Sequence, residues 1–319
     1  MCIRFGSFPT GNCLQSASNS TFLFAYSNDL DNHIVLDSAR SIYNWLTEYS
    51  FRQSYIKFAN VRFDDTVNKG IQYHDDPVDS WNSLILQLPD PSVGFPDASY
   101  GSNYMDVFES FLNNPSIPLC KATMVFLVKR NTNNDGDITP FIRQLQNNHI
   151  FIWSISSTSS SGGQYYYPMY DLTAKSNGFA MFSDDSQFER GLNWGFASIF
   201  SGSGFLYSQN LRLASHGSTE LSPLTVPPDT VSMSSVEIYL NVQEDHETLF
   251  FQSFQFTFIN DEKQKNETLS VSAADLLTKT SAIYTFKWLD FGVRYRVILD
   301  YGYVDLESHS VEIRMFVNG

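Results

Sequence analysis

The feature that most constrains this 319-residue chain is a change of hydrophobic period at Ser201-Gly202-Ser203-Gly204. Before it, short continuous apolar runs alternate with stretches whose apolar residues recur every three to four positions. Phe22-Leu23-Phe24-Ala25-Tyr26 and residues 122–128 (ATMVFLV) have the pattern of strands buried on both faces of a parallel sheet, as do residues 150–155. Residues 55–63 read as a further strand, Asp64-Asp65 as the turn into an edge strand ending near Tyr73, and residues 179–182 as the last strand. Helical stripes fall at 34–49 (Val35, Ala39, Ile42, Tyr43, Leu46), 79–88, 103–113, 139–146, 170–175 with the stop Asn177-Gly178, and 187–200. After the break the period is two, as in Phe254, Phe256, Phe258 and Val311, Ile313, Met315.

Alternating strands and helices need right-handed crossovers, which give an open sheet with helices on both faces. The expected fold class is therefore α/β, a doubly wound mostly parallel sheet, followed by an antiparallel β-sandwich of immunoglobulin-like or related type. Six strands are expected in the second half, at 236–242, 249–259, 269–272, 283–289, 293–299 and 311–317, with turns at Asn260-Asp261 and Phe291-Gly292. The domain division follows: an N-terminal segment 1–20, an α/β domain 21–200 and a sandwich 205–319.

With Phe 27, Tyr 17 and Trp 5, and only 17 % charged residues, the chain is neither disordered nor a coiled coil. A net charge of −14, shared between both halves, repels phosphate backbones and anionic headgroups, so no nucleic acid is expected as a partner. No apolar run approaches the ~20 residues of a membrane span, so none is expected. Residues 1–9 lack the apolar stretch of a secretory signal, which alone points inside the cell. Two sequons, at Asn19 and Asn266, and low lysine content point outside it. The expectation is a secreted glycoprotein whose signal peptide is not present in this chain.

The order of elements over residues 22–200 resembles the von Willebrand factor A-like domain. Phe58-Ala-Asn-Val-Arg-Phe-Asp64 is similar to that family's second strand, residues 138–154 to its helix and buried-strand step, and Tyr170-Asp-Leu-Thr-Ala-Lys-Ser-Asn-Gly178 with Phe179-Ala-Met-Phe182 to its penultimate helix and last strand. Phe24-Ala-Tyr-Ser-Asn-Asp29, Ala59-Asn-Val-Arg-Phe63 and Thr173-Ala-Lys-Ser-Asn-Gly178 also resemble a nematode-expanded group of secreted A-like proteins, some with lectin domains. The resemblance implies extracellular recognition or adhesion and no known reaction.

The family's metal-ion-dependent adhesion site places Asp-x-Ser-x-Ser after the first strand and an Asp after the central one. Here Tyr26-Ser27-Asn28-Asp29-Leu30 stands first, and Lys129-Arg130 replaces the acid. Two cations oppose a Mg²⁺, which takes hard oxygen ligands, so the metal site is expected to be degenerate and no cofactor is expected. Ligand contacts for a protein or glycan are expected instead from loops at the C-terminal edge of the sheet. These are Ser27, Asn28 and Asp29; Asn131, Asn133 and Asp135; and Tyr165, Tyr166 and Tyr167 in the Ser/Gly-rich loop 156–167, a composition suited to adaptable recognition.

Other chemistry is weak. The run Asn131 to Asp137 mimics half of an EF-hand loop, but its twelfth position is Ile142. Asp75-Asp76 and Asp184-Asp185 read as a turn and a helix start rather than paired catalytic acids. The histidines, among them His74, His149, His246 and His309, are scattered singly and read as surface or turn residues, and Ser203 lacks a nucleophile elbow. No catalytic residue is assigned and the chain is read as a non-enzyme; the alternatives are a hydrolase with cryptic acids or a structural spacer. Cys2, Cys13 and Cys120 are either free thiols or include one bridge. In a 3-2-1-4-5-6 strand order Cys13 and Cys120 approach the same sheet edge and can pair; Cys2 with Cys13 is the competitor.

Overall fold

The computed structural model describes residue 13 and residues 19–48, 55–67, 69–176, 178–200, 204–228, 235–242 and 250–317. Cys2, Asn177, the break at 201–203 and His246 lie outside the described residues. The chain divides into two compact units, one ending at Gly195 and the other beginning at Phe196.

From Ser20 to Phe200 the order is β1 (Ser20–Ser27), α1 (Asn32–Glu48), β2 (Tyr55–Phe63), β3 (Gln72–His74), α2 (Pro77–Ile85), α3 (Tyr104–Leu112), β4 (Thr123–Val128), α4 (Thr139–Asn147), β5 (Phe151–Ser157), α5 (Tyr167–Lys175), β6 (Phe179–Ser183) and α6 (Phe188–Phe200), whose last five residues fall past the end of the first unit. The strands form one sheet in the order β3-β2-β1-β4-β5-β6, parallel except for β3. This is the doubly wound, von Willebrand factor A-like arrangement. Every residue of β1 is buried, because helices cover both faces. Leu23 and Ala25 join Phe108, Phe111, Leu145 and Leu172 in one core layer, while Phe22 and Phe24 face Ala39, Ile42 and Leu46 of α1. Gly195 permits α6 to cross Trp153, since a Cβ there would sit 2.2 Å from the indole.

Cys13 and Cys120 form a disulfide with Cα atoms 5.4 Å apart. It ties the segment ahead of β1 to the residues just before β4, at the edge of the sheet opposite the loops discussed below.

The second unit holds nine described strands, three more than the apolar alternation predicts. They are β7 (Gly204–Ala214), β8 (His216–Glu220), β9 (Leu224–Thr225), β10 (Ser235–Asn241), β11 (Phe251–Asn260), β12 (Lys265–Ser272), β13 (Ala282–Trp288), β14 (Arg294–Tyr303) and β15 (Ser308–Val317). One antiparallel sheet runs β13-β10-β15-β7; the other runs β12-β11-β14-β8, with β9 also on β14. Val236, Ile238, Ile313 and Met315 of the first sheet meet Phe254, Phe256, Phe258, Val297 and Leu299 of the second in one core, which makes the unit a β-sandwich. His309 corrects the surface reading of the histidines. It is buried, stacked on Tyr303 at 4.6 Å and 2.9 Å from Asp305.

Candidate functional site

Loops leaving the C-terminal ends of β1, β4 and β5 converge in the first unit, together with the long connection between α2 and α3. Arg130, two residues past the end of β4 and next to Lys129, is their hub. Its side chain is 4 % exposed, and its Nε donates to Asp29 Oδ2 at 2.7 Å. Nη1 donates to the carbonyls of Asp97 at 2.9 Å and Tyr100 at 2.7 Å, and the guanidinium lies over the Phe95 ring, 5.5 Å from its centroid. The Ser161 hydroxyl donates to the same Asp29 oxygen. Lys129 pairs with Asp185 at 2.5 Å and donates to the hydroxyls of Ser157 and Ser159. Both cations after β4 are thus neutralised by carboxylates of other loops.

Backbone bonds knit the same loops. Ser102 N–H donates to Asn131 O, Asn131 N–H to Gly162 O, Gly163 N–H to Ala98 O, and Thr132 pairs with Tyr165. Gly163, at φ +74°, brings the loops so close that a Cβ would stand 1.9 Å from Asn131 O.

Beneath the hub lies a group that sequence reading treated only as a turn. Asp64 is fully buried at φ +64°, past the end of β2. Its carboxyl accepts from the hydroxyls of Ser27 and Ser102, each at 2.5 Å, and from Asn103 N–H at 3.2 Å. Its own N–H donates to Asn103 Oδ1 at 2.7 Å. Burial raises its pKa to about 7, against those hydrogen bonds and with the charge of Asp29 adding to the rise.

The expected contact residues separate into two kinds. Ser27 and Asn28 are a correction: both are buried, Ser27 on Asp64, and Asn28 exchanging two hydrogen bonds with the backbone of Asp90 at 3.0 and 2.8 Å. They brace the loops and do not face solvent. Asp29 is largely covered by its ion pair, and Asn131 is half-buried. Tyr166 is half-buried, packing on Phe182 at 6.1 Å beside a small cluster with Tyr170 and Ala174. Asn133 and Asp135 are exposed, and Asn133 Nδ2 donates to Ser99 O at 2.7 Å. Tyr167 is 38 % exposed, with its ring 5.6 Å from that of Tyr165. Partial desolvation, then the charge of Asp135, pushes its phenol above the usual range. Tyr100, 47 % exposed and stacked on Phe95 at 5.5 Å, belongs to this surface and was missed by the sequence reading.

A family model described as a domain of unknown function, DUF7154, matches residues 209–318, within the sandwich. No curated protein matches the chain. Among solved structures, a von Willebrand factor type A protein from Catenulispora acidiphila is similar at 8 % identity and a TM-score of 0.40, over 95 % of this chain and 65 % of that one. Proximal thread matrix protein 1 from the mussel byssus, in a form with a zinc-occupied MIDAS motif, is similar at 11 % identity and 0.37, over 63 % and 51 %. The TmCBM61 structure, solved with β-1,4-galactotriose, is similar at 12 % and 0.23, over 35 % and 69 %. The chain spans less than two thirds of the length of the first two. At these scores the likenesses add nothing to the strand order, which carries the fold.

The remaining acids have structural partners. Asp76 caps α2 by accepting from Val78 N–H at 2.8 Å, Asp75 pairs with Lys57, and Asp184 accepts from Ser186 N–H at 3.0 Å. In the EF-hand-like run, Asn134 accepts from Gly136 N–H and Asp137 from Thr139 N–H, so these oxygens serve turns and the start of α4. Among the described residues no group of three or more His, Cys, Asp or Glu is placed to hold a metal ion. Asp29, in the loop after β1, is held by the Arg130 guanidinium. Asn19 and Asn266 are both exposed, the latter on β12.

Proposed function

We propose that the chain is a non-enzymatic recognition module, secreted, that binds a protein or glycan through the loops after β1, β4 and β5 without a metal ion. The observation that carries this reading is the Arg130 hub. A buried cation held by Asp29, two carbonyls and an aromatic face sits among these loops, and a fixed positive charge there opposes a bound Mg²⁺. The loops it fixes carry the half-exposed rings of Tyr100 and Tyr167 beside the polar groups of Asn133 and Asp135. Rigid aromatic contacts on pre-ordered loops bind at low entropy cost. The disulfide and the two exposed sequons favour an oxidising compartment and secretion. The secreted, nematode-expanded A-like group is the setting that fits these features.

The test is binding to an array of ectodomains and glycans. Wild-type protein is expected to retain at least one ligand, and Tyr100→Ala with Tyr167→Ala to weaken it about tenfold or more with the melting temperature unchanged. Equal binding by wild type and the double variant would refute this surface. Turnover of an ester or phosphoester panel, abolished by Asp75→Asn or Asp184→Asn, would favour the hydrolase instead.

A further inference from the structure

The second unit contains a cavity that the reading above does not use. It opens between β12 and β13, the edge strands of the two sheets, and has a volume of about 670 Å³. That lies within the ~300–1,000 Å³ typical of small-ligand pockets. Its lining combines two kinds of surface. Phe286 and Trp288, alternate residues of β13, are 53 % and 52 % exposed, and their rings stand edge to face with centroids 6.3 Å apart. In the same lining, Glu267 on β12 forms ion pairs with Lys265 at 2.7 Å and with Lys287 at 3.1 Å. Asp290, also in the lining, pairs with Lys263 at 2.9 Å, and its N–H donates to Tyr295 Oη at 2.8 Å.

We infer that this cavity is a binding site for a neutral oligosaccharide. Exposed apolar rings that lie together, as these two do, mark binding surfaces in a way that rings scattered singly do not. A sugar ring presents an apolar C–H face to such a ring and a rim of hydroxyls that both donate and accept. The lining matches that rim. A carboxylate supplies acceptors, each ammonium has three donors, and an ion pair with one carboxylate oxygen does not exhaust them. The four charges lining the cavity, Lys265, Lys287, Glu267 and Asp290, cancel, so the site carries no net field for an anion. The whole chain at −14 works against a sulfated or phosphorylated chain. A cavity of about 670 Å³ has room for a short chain of sugar rings and not only for a single one. This inference concerns the second unit and stands independently of the function proposed for the loops of the first.

The experiment uses the full chain and a panel of tri- to hexasaccharides built on glucose, galactose, mannose or N-acetylglucosamine. Isothermal titration is combined with acrylamide quenching of tryptophan, from which the half-exposed Trp288 indole is isolated as the difference between wild type and Trp288→Ala, the other four tryptophans lying in the first unit. At least one member is expected to bind at about 10 mM or tighter and to shield Trp288 from quencher. Trp288→Ala and, separately, Phe286→Ala should weaken it about tenfold or more. Both residues are half-exposed, and the melting curve checks that each variant is folded. A Tyr167→Ala variant should bind the saccharide as wild type does, which separates this site from the loops of the first unit. No binding across the panel, or affinity unchanged by both ring variants, would overturn the inference. So would a preference for heparin fragments, or for an extended peptide that adds to the β12 or β13 edge.

Discussion

Asp64→Asn isolates the most unusual electrostatic feature of the first unit. In the folded chain the carboxyl is buried and titrates at about 7, while an unfolded aspartate titrates near its ordinary 3.8. Between these values the folded state holds a proton that the unfolded state has released. Stability from this group is therefore complete below the unfolded value and is lost as pH rises towards the folded one, by about 1.4 kcal/mol per pH unit. From pH 5 to pH 8 the loss is about 3 kcal/mol. The ionised carboxyl accepts from Ser27 at Oδ2 and from Ser102 and Asn103 at Oδ1; a proton taken up on Oδ2 reverses the Ser27 contact, with the acid donating to Ser27 Oγ, and leaves the Oδ1 contacts as they are. An asparagine reproduces that pattern, with Nδ2 donating to Ser27, and does not titrate. Urea denaturation followed by fluorescence reports the first unit, because four of the five tryptophans lie in it. Wild type should lose about 3 kcal/mol more than Asp64→Asn between pH 5 and pH 8, leaving the variant the more stable at pH 8. Parallel curves, or a variant weaker than wild type at pH 8, would refute the reasoning.

Arg130→Met removes the guanidinium but keeps the stem, leaving Asp29 and two loop carbonyls without their main donor; urea denaturation at pH 7 should show a loss of about 3 kcal/mol. Reducing the Cys13–Cys120 bridge opens a loop of sequence separation 107 and should cost about 4 kcal/mol in the chain-entropy model, read as a lower urea midpoint for the first unit. Gly163→Ala should destabilise more than a surface substitution, since both the positive φ and the Asn131 carbonyl oppose a Cβ; a melting temperature within a degree or so of wild type would contradict that contact.

The first unit was legible because strands buried on both faces have no polar alternation to blur them. Phe22 to Tyr26 and residues 122–128 could hardly be anything else. The start of α5 was read three residues late, because Tyr167 looked like the end of a tyrosine loop and the Pro168 that follows it sits in the first helical turn. In the second unit, β8 (HGSTE) contains no large apolar residue and is half-exposed, and β9 is two residues long. Neither has a hydrophobic period to read. β7 does contain one, but Gln209 is buried on it, which breaks the apolar pattern. The candidate site was only half legible for a related reason. That two cations follow the central strand is written in the sequence at Lys129-Arg130. That Arg130 reaches Asp29, 101 residues away, and gathers the carbonyls of Asp97 and Tyr100 depends on which loops the sheet brings together. Tyr100 sits in a connection without periodicity, and Asp64 in a two-residue turn. The one local signal for Asp64 was an acid directly after a buried strand.

The central claim is recognition without a metal ion, and divalent-cation dependence tests it most directly. The melting temperature of the first unit and binding to the array ligand are measured in EDTA and then in millimolar Mg²⁺ or Ca²⁺. A cation that bound the folded state at 100 times its dissociation constant would add about 2.7 kcal/mol, several degrees in melting temperature. The account predicts no shift in melting temperature and the same binding in EDTA as in Mg²⁺. A rise of several degrees with Mg²⁺, together with binding abolished by EDTA, would contradict it.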